Sequence, residues 1–145
     1  MSAEKLFSDE AQDQIVKAIE LAELNTSGEI RVHIESKCKI DVLDRAAYIF
    51  QYLKMHQTAL RNGVLFYLAV NDKKFAVIGD AGINSKIGAD FWNEVKDLVI
   101  EDFKKNQFTE GLEKGIELAG VKLKEHFPYQ SNDKNELKNE VSFGK

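Results

Sequence analysis

The sequence predicts a three-layer α/β/α sandwich built on a small mixed sheet, with elements in the order α-β-α-β-β-α-α. Three observations predict it. The apolar residues switch along the chain between helical and alternating spacing. A β-α-β unit makes the first two strands parallel, with a right-handed crossover. A hairpin then sets the third strand antiparallel to the second, so that helices before, between and after the strands cover both faces.

The first helix is expected from Asp9 to Leu24, where Ala11, Ile15, Ala18, Ile19 and Ala22 recur at helical spacing and Ser8 stands as an N-cap. Asn25-Thr26-Ser27-Gly28 breaks that pattern. From Glu29 to Glu35 the residues alternate, with Ile30, Val32 and Ile34 on one side and Arg31 and His33 on the other, the mark of a strand. Asp41 and Asp44 open a second helix at its positive end, with Leu43, Ala47 and Phe50 as its apolar face, ending near Met55 or His56. Val64 to Val70 is almost continuously apolar, as a central strand covered on both faces must be. Asn71-Asp72-Lys73 turns the chain into Phe75-Ala76-Val77-Ile78. A third helix carries Ile87, Phe91, Val95, Leu98, Val99 and Phe103. A fourth, capped by Thr109, carries Leu112, Ile116, Ala119 and Leu123 and stops before Pro128. The folded domain is expected over residues 1–128. Residues 129–145 read as a polar, disordered tail whose one strong anchor is Phe143.

The chain has 145 residues, 43% of them hydrophobic and 30% charged, which is ordinary usage for one globular domain. A net charge of −4 and a pI near 5.4 argue against nucleic acid, because the lysines are interleaved with carboxylates and form no basic stripe. No apolar stretch follows a basic N-terminus, and the run from Val64 to Val70 is too short to span a bilayer, so no transmembrane segment and a cytoplasmic location are expected. With Cys38 alone, no intramolecular disulfide forms.

The topology brings three loops to one edge of the sheet: Ser27-Gly28-Glu29, Arg61-Asn62-Gly63 and Gly79-Asp80-Ala81-Gly82. Each contains a glycine, which permits close backbone approach, and each contains an oxygen-bearing side chain in Glu29, Asn62 or Asp80. The helix opening between Asn84 and Asp90 adds N–H groups at the same end. This convergence is the strongest site signal in the chain.

The same residues carry a family resemblance. Thr26-Ser27-Gly28-Glu29-Ile30, then Asn62-Gly63-Val64-Leu65, then Gly79-Asp80-Ala81-Gly82-Ile83, with Phe108, Gly111 and Gly115 later, resemble the TPM domain of bacterial proteins and of a thylakoid-lumen acid-phosphatase-like protein. The resemblance spans roughly residues 8 to 127. It implies an α/β/α sandwich with an acidic groove, divalent-cation binding in some members and weak phosphatase activity in at least one. By position, Glu29, Asn62 and Asp80 match the groove motifs, and Asp90 matches a later family aspartate loosely. Two departures stand out. The family often has aspartate where Arg61 stands and glutamate where Asn84 stands.

Three functional readings follow. In the first, the chain is a binding module: Glu29, Asn62, Asp80 and Asp90 bind Ca²⁺ or Mg²⁺ through oxygen ligands, in a groove also lined by Gly28, Arg61, Gly63, Gly82 and Trp92, or that groove takes a protein partner. In the second, a bound cation serves a weak phosphomonoester hydrolase in which Asp80 is the base or nucleophile and Arg61 clamps a phosphate oxygen. In the third, the domain uses no metal and its tail from Asn139 to Lys145 docks on a protein partner. Against all three stands the plain alternative that Asp80 or Glu29 pairs with Arg61 while Asn62 satisfies its own turn. His33, His56 and His126 lack zinc spacing, and Cys38 has no catalytic histidine and acid arranged with it.

Overall fold

The computed structural model describes residues 6–88, 90–129, 139 and 141–144. Helix α1 (Asp9–Glu23) leads into strand β1 (Glu29–Glu35), helix α2 (Val42–Tyr52) and a 3-10 turn at Met55–Gln57. The hairpin β2 (Gly63–Ala69) and β3 (Lys74–Gly79) follows, then α3 (Ala81–Ile87), α4 (Asp90–Phe103), α5 (Phe108–His126) and a short β4 (Ser142–Phe143). The sheet order is β3-β2-β1-β4. As expected, β1 and β2 are parallel, from Glu29↔Gly63 to Glu35↔Ala69, and β2 and β3 are antiparallel, from Val64↔Gly79 to Ala69↔Lys74.

Helices cover both faces. On one, Ile30, Val32, Ile34, Phe66, Leu68 and Val77 join Ile15, Ile19, Val95, Val99, Leu112, Ile116 and Leu123 in the larger core. On the other, Leu65, Tyr67, Ala69 and Ala76 lie under Ala46, Ile49, Phe50 and Met55. Strand β2 is therefore buried on both sides along its whole length, which is why its sequence shows no alternation. Each fully buried Leu or Ile contributes about 1.5–3 kcal/mol, so the larger core dominates the stability. Among the described residues, no helix is long and apolar enough to cross a membrane.

Several elements differ from expectation. The buried stripe of α2 is Ala46, Ile49 and Phe50, while Leu43 is 57% exposed and Ala47 also faces out. The register of this short amphipathic helix is set by where it meets Tyr67 and Ala76. The segment read as one third helix is two. Asp80 caps α3, and Gly88, at φ +76°, ends it in a conformation that favours glycine, so α4 starts afresh at Asp90. Gln107, not Thr109, precedes α5, and it makes no side-chain cap. Ser142 and Phe143 of the expected tail pair with His33 and Ile34 of β1; residues 130–138, 140 and 145 lie outside the described residues.

Candidate functional site

The three glycine-containing loops meet at one edge of the sheet. The Glu29 N–H donates to the Asn62 carbonyl at 3.4 Å, and the Asp80 N–H donates to the Gly63 carbonyl at 2.9 Å. Glu29, Asn62 and Asp80 are all buried, at 2%, 1% and 7% exposure. The backbone thus places the three side chains as the sequence leads one to expect, and the side chains decide what the place can do.

Asp80 is fully engaged. Arg61 grips it as a fork, Nε on Oδ2 at 2.7 Å and Nη2 on Oδ1 at 2.8 Å, and Oδ1 also accepts the Ala81 N–H at 2.7 Å as the cap of α3. The hydrogen bonds and charge of Asp80 hold the Arg61 guanidinium above its ordinary pKa. Arg61 sits in the left-handed region at φ 51°, where aspartate or asparagine is more at ease. Asn62 donates to Ser27 Oγ at 3.4 Å. Among the described residues, no three His, Cys, Asp or Glu side chains are grouped to hold a metal ion. Asp90 stands exposed in the first turn of α4. As arranged, the donor set does not fit a divalent cation, because both Asp80 oxygens lie in the Arg61 fork.

Gly28, Gly82 and Trp92 serve packing. A Cβ on Gly28 would lie 2.5 Å from Leu123 Cδ2. One on Gly82 would overlap the Leu60 carbonyl and lie 2.5 Å from that of Arg61, so only glycine lets α3 settle on this loop. Gly63 opens β2. Trp92, expected at the groove wall, is buried in the larger core. Its indole N–H donates to Asn84 Oδ1 at 2.7 Å, and Asn84 Nδ2 donates in turn to the Gly79 carbonyl at 2.8 Å. A glutamate at position 84 has no proton for that second bond, so the departure at Asn84 is structural. Thr26 is structural too. Its hydroxyl reaches the carbonyls of Leu123, at 3.0 Å, and Phe127, and accepts from the Gly28 N–H at 3.0 Å, closing the end of α5.

Two features of the site escaped the sequence. Glu23, in the last turn of α1, accepts the Ile30 N–H at 2.8 Å and so covers part of the edge of β1. Burial pushes its carboxyl up to about 8; the Ile30 bond opposes this, and the charges of Glu29 and Glu20 add to it. The helical periodicity of α1 places Glu23 beside Ala22 and Ile19, which was the available signal. The second feature is a groove of about 480 Å³ beside the Arg61–Asp80 pair, lined by Tyr48, Phe50, Gln51, His56 and Ile78 among others.

At the opposite end of β1 lies a buried polar cluster. Glu35 accepts from Arg45 Nε at 2.8 Å and Nη2 at 2.7 Å and from the Tyr67 hydroxyl, with His33 Nε2 3.4 Å away. Burial pushes Glu35 upward, but the Arg45 and Tyr67 hydrogen bonds and the Arg45 charge outweigh it and hold the carboxyl at about 2. Burial depresses His33 despite Glu35, and burial together with the Glu35 bond raises Tyr67. Cys38 is buried, its N–H bonded to Asp72 Oδ2 at 2.7 Å.

The model of the TPM domain matches residues 1–121. No curated protein matches the chain. Among solved structures, the BA42 protein of the psychrophilic bacterium Bizionia argentinensis is 48% identical, with 95% of each chain covered and a TM-score of 0.88. Two N-terminal domains share the fold at low identity. That of cg2496 from Corynebacterium glutamicum is 13% identical over 81% of this chain and 74% of its own, with a TM-score of 0.65. That of a P. gingivalis protein is 15% identical over 86% and 83%, with a TM-score of 0.71. With the motifs, the three-layer sandwich and a family model over most of its length in agreement, this chain belongs to the TPM domain family.

Proposed function

We propose that this chain is a binding module for a protein partner, with the groove beside Arg61 and Asp80 as its contact surface, and that it is not an efficient hydrolase. The observation that carries the reading is the Arg61 fork on Asp80, which occupies both oxygens of the carboxylate a hydrolase would use as base or nucleophile. Arg61 is left half exposed, at 50%, at the rim of the groove. Nearby α2 presents Tyr48 and Tyr52, stacked on each other at 6.3 Å and exposed at 56% and 68%. Arginine and tyrosine are the residue types enriched where proteins dock, since each offers a large contact area with a polar tip.

A divalent cation is the second reading. It is supported by the buried oxygens of Glu29 and Asn62 and by the unfavourable ionisation of Glu23 beside Glu29, which a hard cation would relieve. It requires Arg61 to release Asp80. A phosphate ester is the weakest reading, because Arg61 clamps phosphate only after leaving Asp80.

Calcium titration of the chelator-stripped protein, followed by amide NMR, separates these readings. The wild-type chain is expected to stay silent at Gly28, Glu29, Gly63, Asp80 and Gly82 up to roughly millimolar calcium, the range of weak sites. Arg61→Asp, which frees Asp80 and adds a carboxylate, is expected to gain a site. Saturable shifts at those amides in the wild type would reject the metal-free reading in favour of the cation.

A further inference from the structure

The outer edge of β1 is closed in two pieces. Glu23 takes the Ile30 N–H at the upstream end. Downstream, the chain's own C-terminal residues lie alongside as a parallel strand, with His33↔Ser142 and Ile34↔Phe143 in register and the Gly144 N–H donating to the Ile34 carbonyl at 2.8 Å. The alternation of a strand then sorts the side chains. Val141 and Phe143 pack against the larger core, while Ser142 and Gly144 face the polar cluster.

That second face reads the segment residue by residue. The Ser142 hydroxyl lies 2.7 Å from His33 Nδ1 and 3.3 Å from the Val32 carbonyl. With the ring proton on Nε2, facing Glu35 Oε1, Nδ1 accepts from the serine; with the other tautomer Nδ1 donates to the serine, whose own proton goes to the Val32 carbonyl. At Gly144 there is no room for a side chain. A Cβ would overlap Glu35 Oε1 and lie 2.9 Å from its Cβ, and this carboxylate has no freedom to yield, because Arg45 and Tyr67 hold both its oxygens. The contact nevertheless amounts to two residue pairs, which places it at the weak end of the molecule's local stabilities.

We propose that the edge of β1 from Val32 to Glu35 is a peptide-binding site that takes an extended hydroxyl–aromatic–glycine segment as an added strand, and that Ser142-Phe143-Gly144 is the ligand it holds in cis. The mode is strand addition. Main-chain bonds give affinity, the His33 nitrogen selects the hydroxyl, the core edge takes the aromatic ring, and the pinned Glu35 demands glycine. Release of the segment exposes an edge with its reading face already built. The site is separate from the Arg61–Asp80 groove, at the other end of β1, and stands or falls independently of it.

The test uses the full chain. Gly144→Ala is expected to detach the segment, seen as shifts at His33 and Ile34 and loss of amide protection on the β1 edge. A capped peptide with the sequence of residues 139–145 is then expected to bind this variant in trans and restore the wild-type shifts at Val32, His33 and Ile34. The same peptide with alanine for its serine is expected to bind about tenfold more weakly, the value of one buried hydrogen bond. With alanine for its glycine it is not expected to bind. Failure of the unmodified peptide to shift the β1 edge, or equal binding of the glycine-to-alanine peptide, overturns the proposal. Should Gly144→Ala fail to fold, Ser142→Ala in the full chain decides: it must shift the His33 ring signals and speed exchange at Gly144, and unchanged signals overturn the proposal.

Discussion

Glu23 is a half-buried carboxyl that gains a backbone hydrogen bond from Ile30 and still ionises reluctantly, near pH 8. Its folded value lies above its unfolded one, so the native state holds the extra proton between them. The associated stability is fully present below the unfolded value of 4.5 and is lost as pH rises through about 8. Glu23→Gln keeps an acceptor for Ile30 and removes the charge. In urea unfolding it is expected to match the wild type near about pH 4 and to exceed it by on the order of 2 kcal/mol near about pH 9. Glu35 runs the other way. Held at about 2, it contributes stability above its unfolded value that disappears as pH falls toward about 2. Arg45→Ala strips the main partner from this buried carboxylate and is expected to cost about 2–3 kcal/mol, the low side for a broken buried pair because Arg45 is itself 32% exposed. The acid-unfolding midpoint should move to higher pH in the same variant. No change in that midpoint would mean that Tyr67 and His33 suffice to hold the charge.

At the scale of elements, α3 depends on one missing methyl group. Gly82 lies directly on the carbonyls of Leu60 and Arg61, and the Ile83 N–H bonds the Arg61 carbonyl at 3.3 Å. Gly82→Ala is expected to push α3 off this loop and destabilise the fold by about 2–3 kcal/mol, as overpacking against fixed backbone does. A shift in the fluorescence of Trp92, which is tied to α3 through Asn84, would report it. Wild-type emission and stability in that variant would contradict this packing. The elements also show how far the sequence is readable. Strand β1 runs from Glu29 to Glu35 as its alternation implies. For helix α2 the spacing points one step round, because Leu43, Ala47 and Phe50 make as good a stripe as Ala46, Ile49 and Phe50, and only contact with Tyr67 and Ala76 chooses between them. Strand β4 has too few residues for any periodicity and forms because its serine and glycine fit His33 and Glu35.

For the whole molecule, the central position of β2 sets the order of opening. All 7 of its residues are buried and it pairs with β1 on one side and β3 on the other. Native-state hydrogen exchange is therefore expected to be slowest in β2 and the facing residues of β1, and fastest among the strands in β4. Protection in β4 equal to that of β2 would contradict this order and would count equally against a releasable C-terminal segment. The global arrangement was accessible from sequence because the parallel β1–β2 pair and the β2–β3 hairpin leave little choice of topology. Backbone convergence of Glu29, Asn62 and Asp80 followed from that topology. The sequence also offers Asp80 or Glu29 as the partner of Arg61; the structure chooses Asp80, and that choice and the two-oxygen fork depend on side-chain geometry that no spacing encodes.

Cys38 has a kinetic consequence. It is the chain's single thiol, 3% exposed at the corner between β1 and α2, with its Sγ–H directed at the Ile40 carbonyl at 3.2 Å. A small alkylating reagent reaches it only when that corner opens, and every modified molecule reports the same event. At low reagent the labelling rate follows the equilibrium of opening, and at high reagent it levels off at the rate of opening itself. The native sequence thus carries its own clock for the corner where Asp72 and Lys74 fasten the hairpin to the loop after β1.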